Sequence, residues 1–190
     1  MTDALPNSES GPEGESVSGS PRAGDPSGHL SHIDASEGAP RARMVDVGAK
    51  PSTRRSALAR ARIRFPEGVL GPIVAGRGPK GPIEEVARVA GVMAAKGTGS
   101  MIPMCHPLGL DVVDVTFRQA GPDTLEVHCR ASCTGPTGVE MEAMVGASVA
   151  ALTVYDMTKA ASKGISIEAV ELLEKTGGKS GLWRREDPNT

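Results

Sequence analysis

The sequence predicts an α+β fold in which helices pack on one face of an antiparallel sheet. Segments with strand and helix patterns are mixed along the chain, without the regular alternation that builds a parallel sheet. Two alternating segments, residues 111–119 and 124–133, flank the turn Gly121-Pro122-Asp123 and predict a β-hairpin. With 190 residues, the chain is long enough for one domain with a hydrophobic core.

The first half of the domain is predicted to contain a strand and a helix. Small or apolar residues alternate with arginines over residues 59–65, which is the pattern of a half-buried strand. From Ile83 onward, apolar residues recur at helical spacing. The acidic pair Glu84-Glu85 at the start of this segment and Lys96 at its end favour the dipole of a helix.

The second half is predicted to be dominated by one long helix. Residues 138–162 are rich in Ala and Met, which favours a mostly buried helix. Residues 167–175 have helix-forming side chains, but the segment is short and Gly177-Gly178 follows it. A helix and a terminal strand are equally consistent with this segment.

The first 28 residues are predicted to be a disordered tail. Of residues 1–40, 19 are Gly, Pro or Ser, so this segment buries too little apolar area to offset its ordering entropy. A partner-binding tail is the alternative. We expect the domain to span residues 29–186 and to be followed by a short tail at 187–190.

Charge and composition limit the classes of partner. Residues 1–40 carry seven acidic residues and one basic residue, which leaves a mildly basic body suited to a phosphorylated small molecule. Aromatic residues are 2% of the chain, and the pattern of nucleic-acid binding is absent. The spacing of the three cysteines does not indicate a disulfide framework, and the N-terminus has no pattern of a signal peptide. The apolar stretch 143–154 is too short for a membrane span. We therefore expect a soluble, cytoplasmic protein.

A stiff loop at residues 101–110, MIPMCHPLGL, presents a cysteine and a histidine. Two prolines bracket Cys105-His106 and hold them on a non-helical backbone. A fixed imidazole can bind a phosphate or move a proton, and a structural histidine is an equal alternative. No zinc site is expected with Cys129 and Cys133, because four residues of strand separate them by ~13 Å.

Charged residues mark both ends of the long predicted helix. If Glu140 is in an extended conformation, Glu140 and Glu142 can both point into one pocket; if both residues are helical, their side chains diverge. The alternative is that the two carboxylates only stabilise the start of the helix. Asp156, Lys159 and Lys163 are spaced i, i+3 and i+7, which places them on one helix face. Two interpretations are open for these three residues: they line a cleft, or they form an ion pair that is exposed to solvent.

Lysines in glycine-rich loops complete a candidate site. Lys80 lies in the loop 78–81, and Lys175 and Lys179 lie in residues 175–181, whose backbone N–H groups suit a phosphate. The second loop is not a Walker A loop, because Leu173 occupies a position that requires glycine. These cations, with the acidic residues and the histidine, predict a site for a highly charged phosphate compound.

Seven motifs together resemble one enzyme family. They are MVDV at 44–47, KG at 80–81, ARVAG at 87–91, IPMCHPL at 102–108, TGVEMEA at 137–143, AALTVYDM at 150–157 and LLEKTGGKSG at 172–181. From about residue 31 to residue 181, the chain resembles the cyclic pyranopterin monophosphate synthases, the molybdenum cofactor biosynthesis protein C family.

The resemblance implies a fold, a reaction and an assembly. The family has a ferredoxin-like α+β fold that ends in a strand, and it forms a homohexamer, a trimer of dimers, with active sites at subunit contacts. It is a phosphorus–oxygen lyase that converts a cyclic dihydroguanosine triphosphate, made from GTP, to cyclic pyranopterin monophosphate and pyrophosphate. It implies no certain cofactor, and any dependence on magnesium stays open.

The resemblance also assigns residues. It implies that Asp156, Lys159 and Lys80 are catalytic. It implies that substrate is contacted by Met104, Cys105, His106, Met141 and Glu142, with Lys96, Arg55, Lys175 and Lys179 as neighbours, and the carboxylate spacing adds Glu140. Lysines that lie close together, or in an apolar pocket, can have lowered pKa values and act as acids or bases.

This chain departs from the family pattern at a few positions. Pro82 replaces an acidic residue and suits the first turn of a helix, Thr158 replaces a common cysteine, and Met101 and Met104 replace aliphatic residues. None of these changes removes a charged site residue. The alternatives are another lyase or cyclohydrolase acting on a purine triphosphate, and a nucleotide-binding module without a carboxylate–lysine pair.

Overall fold

A central antiparallel sheet organises the chain. The computed structural model describes residues 33–34, 41–179 and 181–186, so the predicted tails at 1–28 and 187–190 lie outside the described residues. The strands are β1 (Ile33–Asp34), β2 (Arg41–Ala42), β3 (Thr53–Arg64), β4 (Val112–Gly121), β5 (Thr124–Gly135), β6 (Ser166–Thr176) and β7 (Trp183–Arg184). β1 and β2 pair with each other, and the main sheet has the order β4-β5-β3-β6-β7 with antiparallel neighbours.

The helices lie between the strands in sequence. They are α1 (Leu70–Pro72), which a π-helical turn (Ile73–Arg77) follows directly, α2 (Ile83–Lys96), α3 (Thr98–Met101) and α4 (Glu140–Thr158). α4 packs against β3, β5 and β6, and α2 packs against α4 and β4. The predicted α+β fold, with its helices on one face of an antiparallel sheet, is confirmed.

The alternation of side chains along β3 and β5 separates the two faces of the sheet. Ala57, Ala59, Ala61 and Ile63 of β3 point into the core, as do the odd-numbered residues of β5 from Leu125 to Cys133. β3 begins at Thr53, six residues before the predicted start, because its first half pairs with β5 although its own residues, TRRSAL, do not alternate. The hairpin predicted around Gly121-Pro122-Asp123 is confirmed as β4–β5.

Small residues let α4 approach its neighbours closely. A Cβ at Gly146 of α4 would lie 2.6 Å from the Cys129 sulfur of β5 and 3.2 Å from the Gly91 oxygen of α2. Neither contact leaves room for a side chain, so glycine at this position fixes the spacing of α4 against both elements. The buried core around these elements consists mainly of alanine, valine, isoleucine and leucine.

The long predicted helix is shorter than expected. α4 spans Glu140–Thr158 rather than residues 138–162, and Lys159 is its C-terminal cap. Lys163 therefore lies beyond the helix, and the prediction that it shares one helix face with Asp156 and Lys159 is wrong. The segment after it forms β6, so the strand implied by the family resemblance is confirmed.

The sheet face opposite the helices carries a dense ionic network, which we call the Glu126 network. The Glu126 carboxylate is 2% exposed and lies 3.3 Å from Arg60, 3.5 Å from Arg62 and 2.7 Å from Arg118. Burial alone would raise the pKa of Glu126, but the hydrogen bond from Arg118 and the charges of Arg60, Arg118 and His128 lower it. Burial lowers the pKa of His128; the charge of Glu126 opposes this, and the charges of Arg118 and Arg60 add smaller lowering effects.

Among the described residues, no helix has both the length and the apolar character needed to cross a membrane.

Candidate functional site

Two lysines meet one carboxylate at the C-terminal end of α4. The Asp156 carboxylate receives the Lys80 ammonium at 3.0 Å on Oδ2 and the Lys159 ammonium at 2.5 Å on Oδ1. Lys80 also donates to the main-chain oxygen of Asp156, at 3.1 Å. We call these three residues the Asp156 cluster; they are the residues predicted to be catalytic.

The local fold explains why the three side chains meet. Asp156 lies in the last turn of α4, where main-chain oxygens have no partner within the helix, and such oxygens attract cations. Lys159 follows as the helix cap, with its N–H bonded to the Tyr155 oxygen at 2.8 Å. Lys80 reaches the same point from the loop that precedes α2, and Pro82 is the N-cap residue of that helix rather than part of its first turn.

The charges in this cluster reinforce one another. The hydrogen bond from Lys159, followed by that from Lys80, lowers the pKa of Asp156, and the Asp156 carboxylate raises the pKa of Lys159. A lowered pKa, which grouped lysines can have, is not found at Lys159, because the hydrogen bond and charge of Asp156 outweigh the effect of desolvation. At neutral pH Asp156 is ionised and Lys159 is protonated.

A cavity of about 610 Å³ lies at the other end of α4. Its cationic and acidic lining consists of Lys50, Arg55, Glu140, Lys175 and Lys179. We call it the Arg55 cavity. Four of these five residues were predicted as substrate contacts, and Lys50 was missed because a single lysine before Pro51 carries no recognisable signal. Its size is that of a small-molecule site, and four cations against one carboxylate suit an anionic ligand.

Two glycines leave room for Arg55 at the cavity wall. Gly177 and Gly178 have φ values of +96° and +71°, and a Cβ on Gly178 would lie 1.9 Å from the Arg55 guanidinium. A Cβ on Gly177 would lie 2.3 Å from the Arg54 oxygen. Arg55 donates to the Pro136 oxygen at 3.4 Å, and its buried Nε has no hydrogen-bond partner among the described residues.

Glu140 and Glu142 diverge at the start of α4. Both are helical, and Glu140 turns to the Lys175 ammonium at 2.9 Å in the Arg55 cavity. Glu142 is 4% exposed, and burial, followed by the charge of Glu140, raises its pKa. The two carboxylates therefore diverge, as predicted for the case in which both residues are helical. Met141, which lies between them in the sequence, is 36% exposed.

The loop after α3 holds its predicted site residues half-buried. Met104, Cys105 and His106 follow a turn in which the Cys105 N–H donates to the Ile102 oxygen at 3.0 Å. Burial and the charge of Glu142 raise the pKa of the Cys105 thiol, which places this loop beside the start of α4. The His106 side chain makes no hydrogen bond to any residue that the structure describes, so its imidazole is free to meet a ligand.

The candidate residues therefore form two groups, one near each end of α4. Asp156 and Glu142 are fourteen residues apart in α4, which is ~21 Å along a helix. The Asp156 cluster lies at one end, and the Arg55 cavity with Cys105 and Glu142 lies at the other. Lys96 belongs to neither group; it is exposed at the last residue of α2.

Metal-binding geometry is absent from the described ranges. Within 33–34, 41–179 and 181–186, no three His, Cys, Asp or Glu side chains are grouped in a way that could hold a metal ion. Cys129 and Cys133 are both buried on the core face of β5, and both burial and nearby carboxylates raise their pKa values.

The chain is similar to one family of known proteins. The model of the MoaC family matches residues 44–178, which is more than half of the chain. A relative from Novosphingobium aromaticivorans is 54% identical over 155 residues, covering 82% of this chain and 96% of the relative. Relatives from Thermomicrobium roseum and Chloroflexus aggregans are each 50% identical over 159 residues, covering 83% of this chain and 94% of each relative. All three relatives carry the name cyclic pyranopterin monophosphate synthase.

Proposed function

The chain belongs to the MoaC family, and on that premise we propose how its residues carry out the reaction of that family. Its function is to make cyclic pyranopterin monophosphate from a GTP-derived substrate in molybdenum cofactor biosynthesis, which makes it a lyase. The Asp156 cluster is the catalytic group in this proposal, and pyrophosphate is the second product.

The observation that carries the proposal is the bridging of Lys80 and Lys159 by Asp156. The ionised carboxylate keeps Lys159 protonated, so this lysine serves as a proton donor and as a fixed positive charge. Lys80 is held by two oxygens of Asp156, which fixes its ammonium before substrate arrives. A non-catalytic nucleotide-binding module would not need a carboxylate between two cations.

The Arg55 cavity supplies the phosphate-binding part of the site in this proposal. A triphosphate carries several negative charges, and Arg55, Lys175 and Lys179 present complementary cations around one volume. Glu140 lies 2.9 Å from the Lys175 ammonium, and Gly177 and Gly178 leave room for the Arg55 side chain. His106, Met104, Met141 and the backbone around Glu142 lie on the loop and helix start that adjoin this end of α4.

The bonds that form and break in the proposed reaction require both a proton acceptor and fixed positive charges. A cyclic monophosphate forms when a substrate hydroxyl attacks the α-phosphorus, while the bond from that phosphorus to the pyrophosphate oxygen breaks. The hydroxyl proton leaves to a base, and pyrophosphate departs with added negative charge. Fixed cations stabilise that charge as it develops, and this contribution is usually among the largest in such reactions.

The separation of the two groups supports an oligomeric enzyme. A substrate of nucleotide size does not span the ~21 Å between Asp156 and Glu142. We propose that the protein is a cytoplasmic homohexamer, a trimer of dimers, in which the Asp156 cluster of one chain faces the Arg55 cavity of a neighbour. Lys96, which stands apart from both groups within one chain, then joins the site at a subunit contact.

A coupled assay tests the proposed reaction. The full-length protein is incubated with the product that the upstream radical enzyme makes from GTP, and pyrophosphate and the cyclic monophosphate are measured together. Equal amounts of both products are expected. Substrate binding without pyrophosphate release would contradict the proposal and favour a binding module, and GTP itself serves as the unreactive control.

A further inference from the structure

The only tryptophan of the chain, Trp183, is an exposed aromatic residue at the edge of the main sheet. The chain has one Trp, one Tyr and two Phe residues, and the other three, Phe65, Phe117 and Tyr155, are buried in the core or packed against it. Trp183 is 40% exposed and lies in β7, which is an edge strand. Its indole therefore offers a flat apolar surface that the core does not use.

Strand pairing places Trp183 on the helix side of the sheet, next to Lys175. In the antiparallel pair β6–β7, Trp183 lies directly opposite Lys175, and Lys175 in turn lies directly opposite Ala57 of β3. Directly opposed residues have Cα atoms about 4.5–5.5 Å apart and side chains on the same face of the sheet. Ala57 belongs to the core beneath the helices. Trp183 therefore shares a face with the Lys175 side chain, which lines the Arg55 cavity.

Side-chain and main-chain contacts attach the strand that carries Trp183 to the strand that carries Lys175. Arg184 follows Trp183, so its side chain lies on the opposite face of the sheet, where its Nε donates to the Glu174 carboxylate at 2.9 Å. The Arg185 N–H donates to the Leu173 oxygen at 2.9 Å, and the Arg185 Nε donates to the Leu172 oxygen at 3.0 Å. These contacts secure the backbone of Trp183 beside β6.

The lining of the Arg55 cavity suits phosphates but offers no flat surface to a ring. The described residues that line it are lysines, prolines, threonines, glycines, Arg55, Ser56 and Glu140, and none of them is aromatic. The GTP-derived substrate of the proposed reaction carries its triphosphate together with a guanine-derived ring. Proteins commonly hold the rings of nucleotides by stacking them on aromatic side chains. Trp183 is the exposed aromatic residue that the strand pairing places beside this cavity.

We propose that the indole of Trp183 stacks on the guanine-derived ring of the substrate while the triphosphate lies in the Arg55 cavity. The inference rests on the proposed function and deepens it, because it adds a residue that binds the ring to the cations that bind the phosphates. Lys175 and Trp183 are cross-strand neighbours, so one substrate contacts the first with a phosphate and the second with its ring. Stacking of this kind is present in the ground state and the transition state alike, so it lowers KM without raising kcat.

Tryptophan fluorescence of the full-length protein measures this contact directly, because Trp183 is the only tryptophan. GTP has both a guanine ring and a triphosphate, whereas inorganic tripolyphosphate has the phosphates alone. GTP should quench the emission in a saturable way. Tripolyphosphate should leave the emission unchanged by itself and should restore it when it displaces GTP. Free N-acetyltryptophanamide mixed with the same amounts of GTP corrects for light that GTP absorbs. GTP that binds in equilibrium dialysis without quenching, or equal quenching by tripolyphosphate, would overturn the proposal.

Substitution of Trp183 gives an independent measurement with the GTP-derived substrate itself. Trp183→Ala should raise KM about tenfold while kcat changes little, since it removes the stacking surface. Trp183→Phe, which keeps an aromatic face, should restore most of the affinity. Leu182→Ala removes the adjacent side chain, which is 57% exposed, and is the matched control with an unchanged KM. A wild-type KM in Trp183→Ala would overturn the proposal. A KM as high in Trp183→Phe as in Trp183→Ala would also overturn it, because the loss would then not depend on an aromatic face.

The two proposals fail in distinguishable ways. A wild-type protein that releases pyrophosphate, with an unchanged KM in Trp183→Ala, would refute the stacking contact and leave the proposed function intact. A wild-type protein whose emission is quenched by GTP but not by tripolyphosphate, and which releases no pyrophosphate from the GTP-derived substrate, would refute the proposed reaction and leave the ring contact intact.

Discussion

Lys80 and Asp156 are 76 residues apart in the sequence, and the ammonium of the first lies 3.0 Å from the carboxylate of the second. The contact joins the loop before α2 to the last turn of α4. α2 packs closely on α4, so the fold brings the loop that carries Lys80 to the end of α4, where both side chains are about half exposed. The packing of α2 on α4 therefore brings together two segments that are far apart in the sequence.

Asp156→Asn should abolish most of the activity without unfolding the protein. The amide cannot hold two ammonium groups or keep the pKa of Lys159 raised, so kcat/KM should fall by about 100-fold or more. The basic limb of the pH profile should also move to lower pH. Glu168→Gln, which removes an exposed ion pair with Arg64, is the matched control and should leave kcat/KM unchanged. A variant with wild-type activity would remove Asp156 from the chemistry.

Lys179→Ala should weaken substrate binding more than it slows turnover. Its proposed attraction for phosphate is present in the ground state and the transition state alike, so KM should rise about tenfold while kcat changes little. Steady-state kinetics of pyrophosphate release separate the two parameters. Arg64→Ala, which removes a distant exposed cation, controls for net charge. A large fall in kcat at unchanged KM would place Lys179 in the chemical step instead.

Gly178→Ala should damage the Arg55 cavity and reduce stability together. The new Cβ would lie 1.9 Å from the Arg55 guanidinium, at a φ of +71° that alanine tolerates poorly. We expect a loss of about 1–3 kcal/mol in the free energy of unfolding and a higher KM. Gly121→Ala is the control, since no atom lies within 4 Å of its added Cβ. Equal effects of both substitutions would contradict the close packing of Arg55.

Glu126→Gln should change the acid stability of the fold. The pKa of Glu126 is lowered in the folded state, so its contribution is fully present above the ordinary value of 4.5 and is lost as the pH falls through the folded value. The variant should lose about 1–3 kcal/mol at neutral pH, and its deficit should shrink as the pH falls below the ordinary value. Urea denaturation across this range measures both. A deficit that does not vary with pH would show that packing, rather than charge, is lost.

The sequence predicts the sheet and helices of this chain well because its patterns are local. The alternation in 124–133 and the helical spacing after Ile83 each specify an element by themselves. The extension of β3 to Thr53 was missed because pairing with β5 holds residues that do not alternate. Likewise, α4 was predicted to run on to Ser162, since nothing in the residues after Thr158 marks its end.

The site was less predictable because it depends on contacts between distant segments. The lysines and Asp156 could be named from sequence, and the Lys159–Asp156 pair is local, but the contact of Lys80 with Asp156 depends on how the chain packs before α2. Lys50 enters the Arg55 cavity through the fold alone. The burial of Glu142 also depends on tertiary packing, since charge and spacing at a helix start usually indicate an exposed residue.

Mixing two inactive variants should restore activity if the site is shared between chains. Asp156→Ala removes the Asp156 cluster of one chain, and Lys175→Ala damages the Arg55 cavity of another. If the cluster of one chain faces the cavity of its neighbour, a mixed oligomer contains some sites in which both groups are intact. Co-refolded mixtures of the two variants should therefore release pyrophosphate well above either variant alone.

The decisive control for this mixing experiment uses two variants of the same group. Asp156→Ala and Lys159→Ala both damage the cluster, so no pairing of these chains assembles an intact site, and their mixture should stay inactive. Native mass spectrometry of chains with different tags shows whether mixed oligomers have formed. Mixed oligomers of Asp156→Ala and Lys175→Ala that remain inactive would place both groups within a single chain. One substrate would then have to bridge the ~21 Å between Glu142 and Asp156 within one chain.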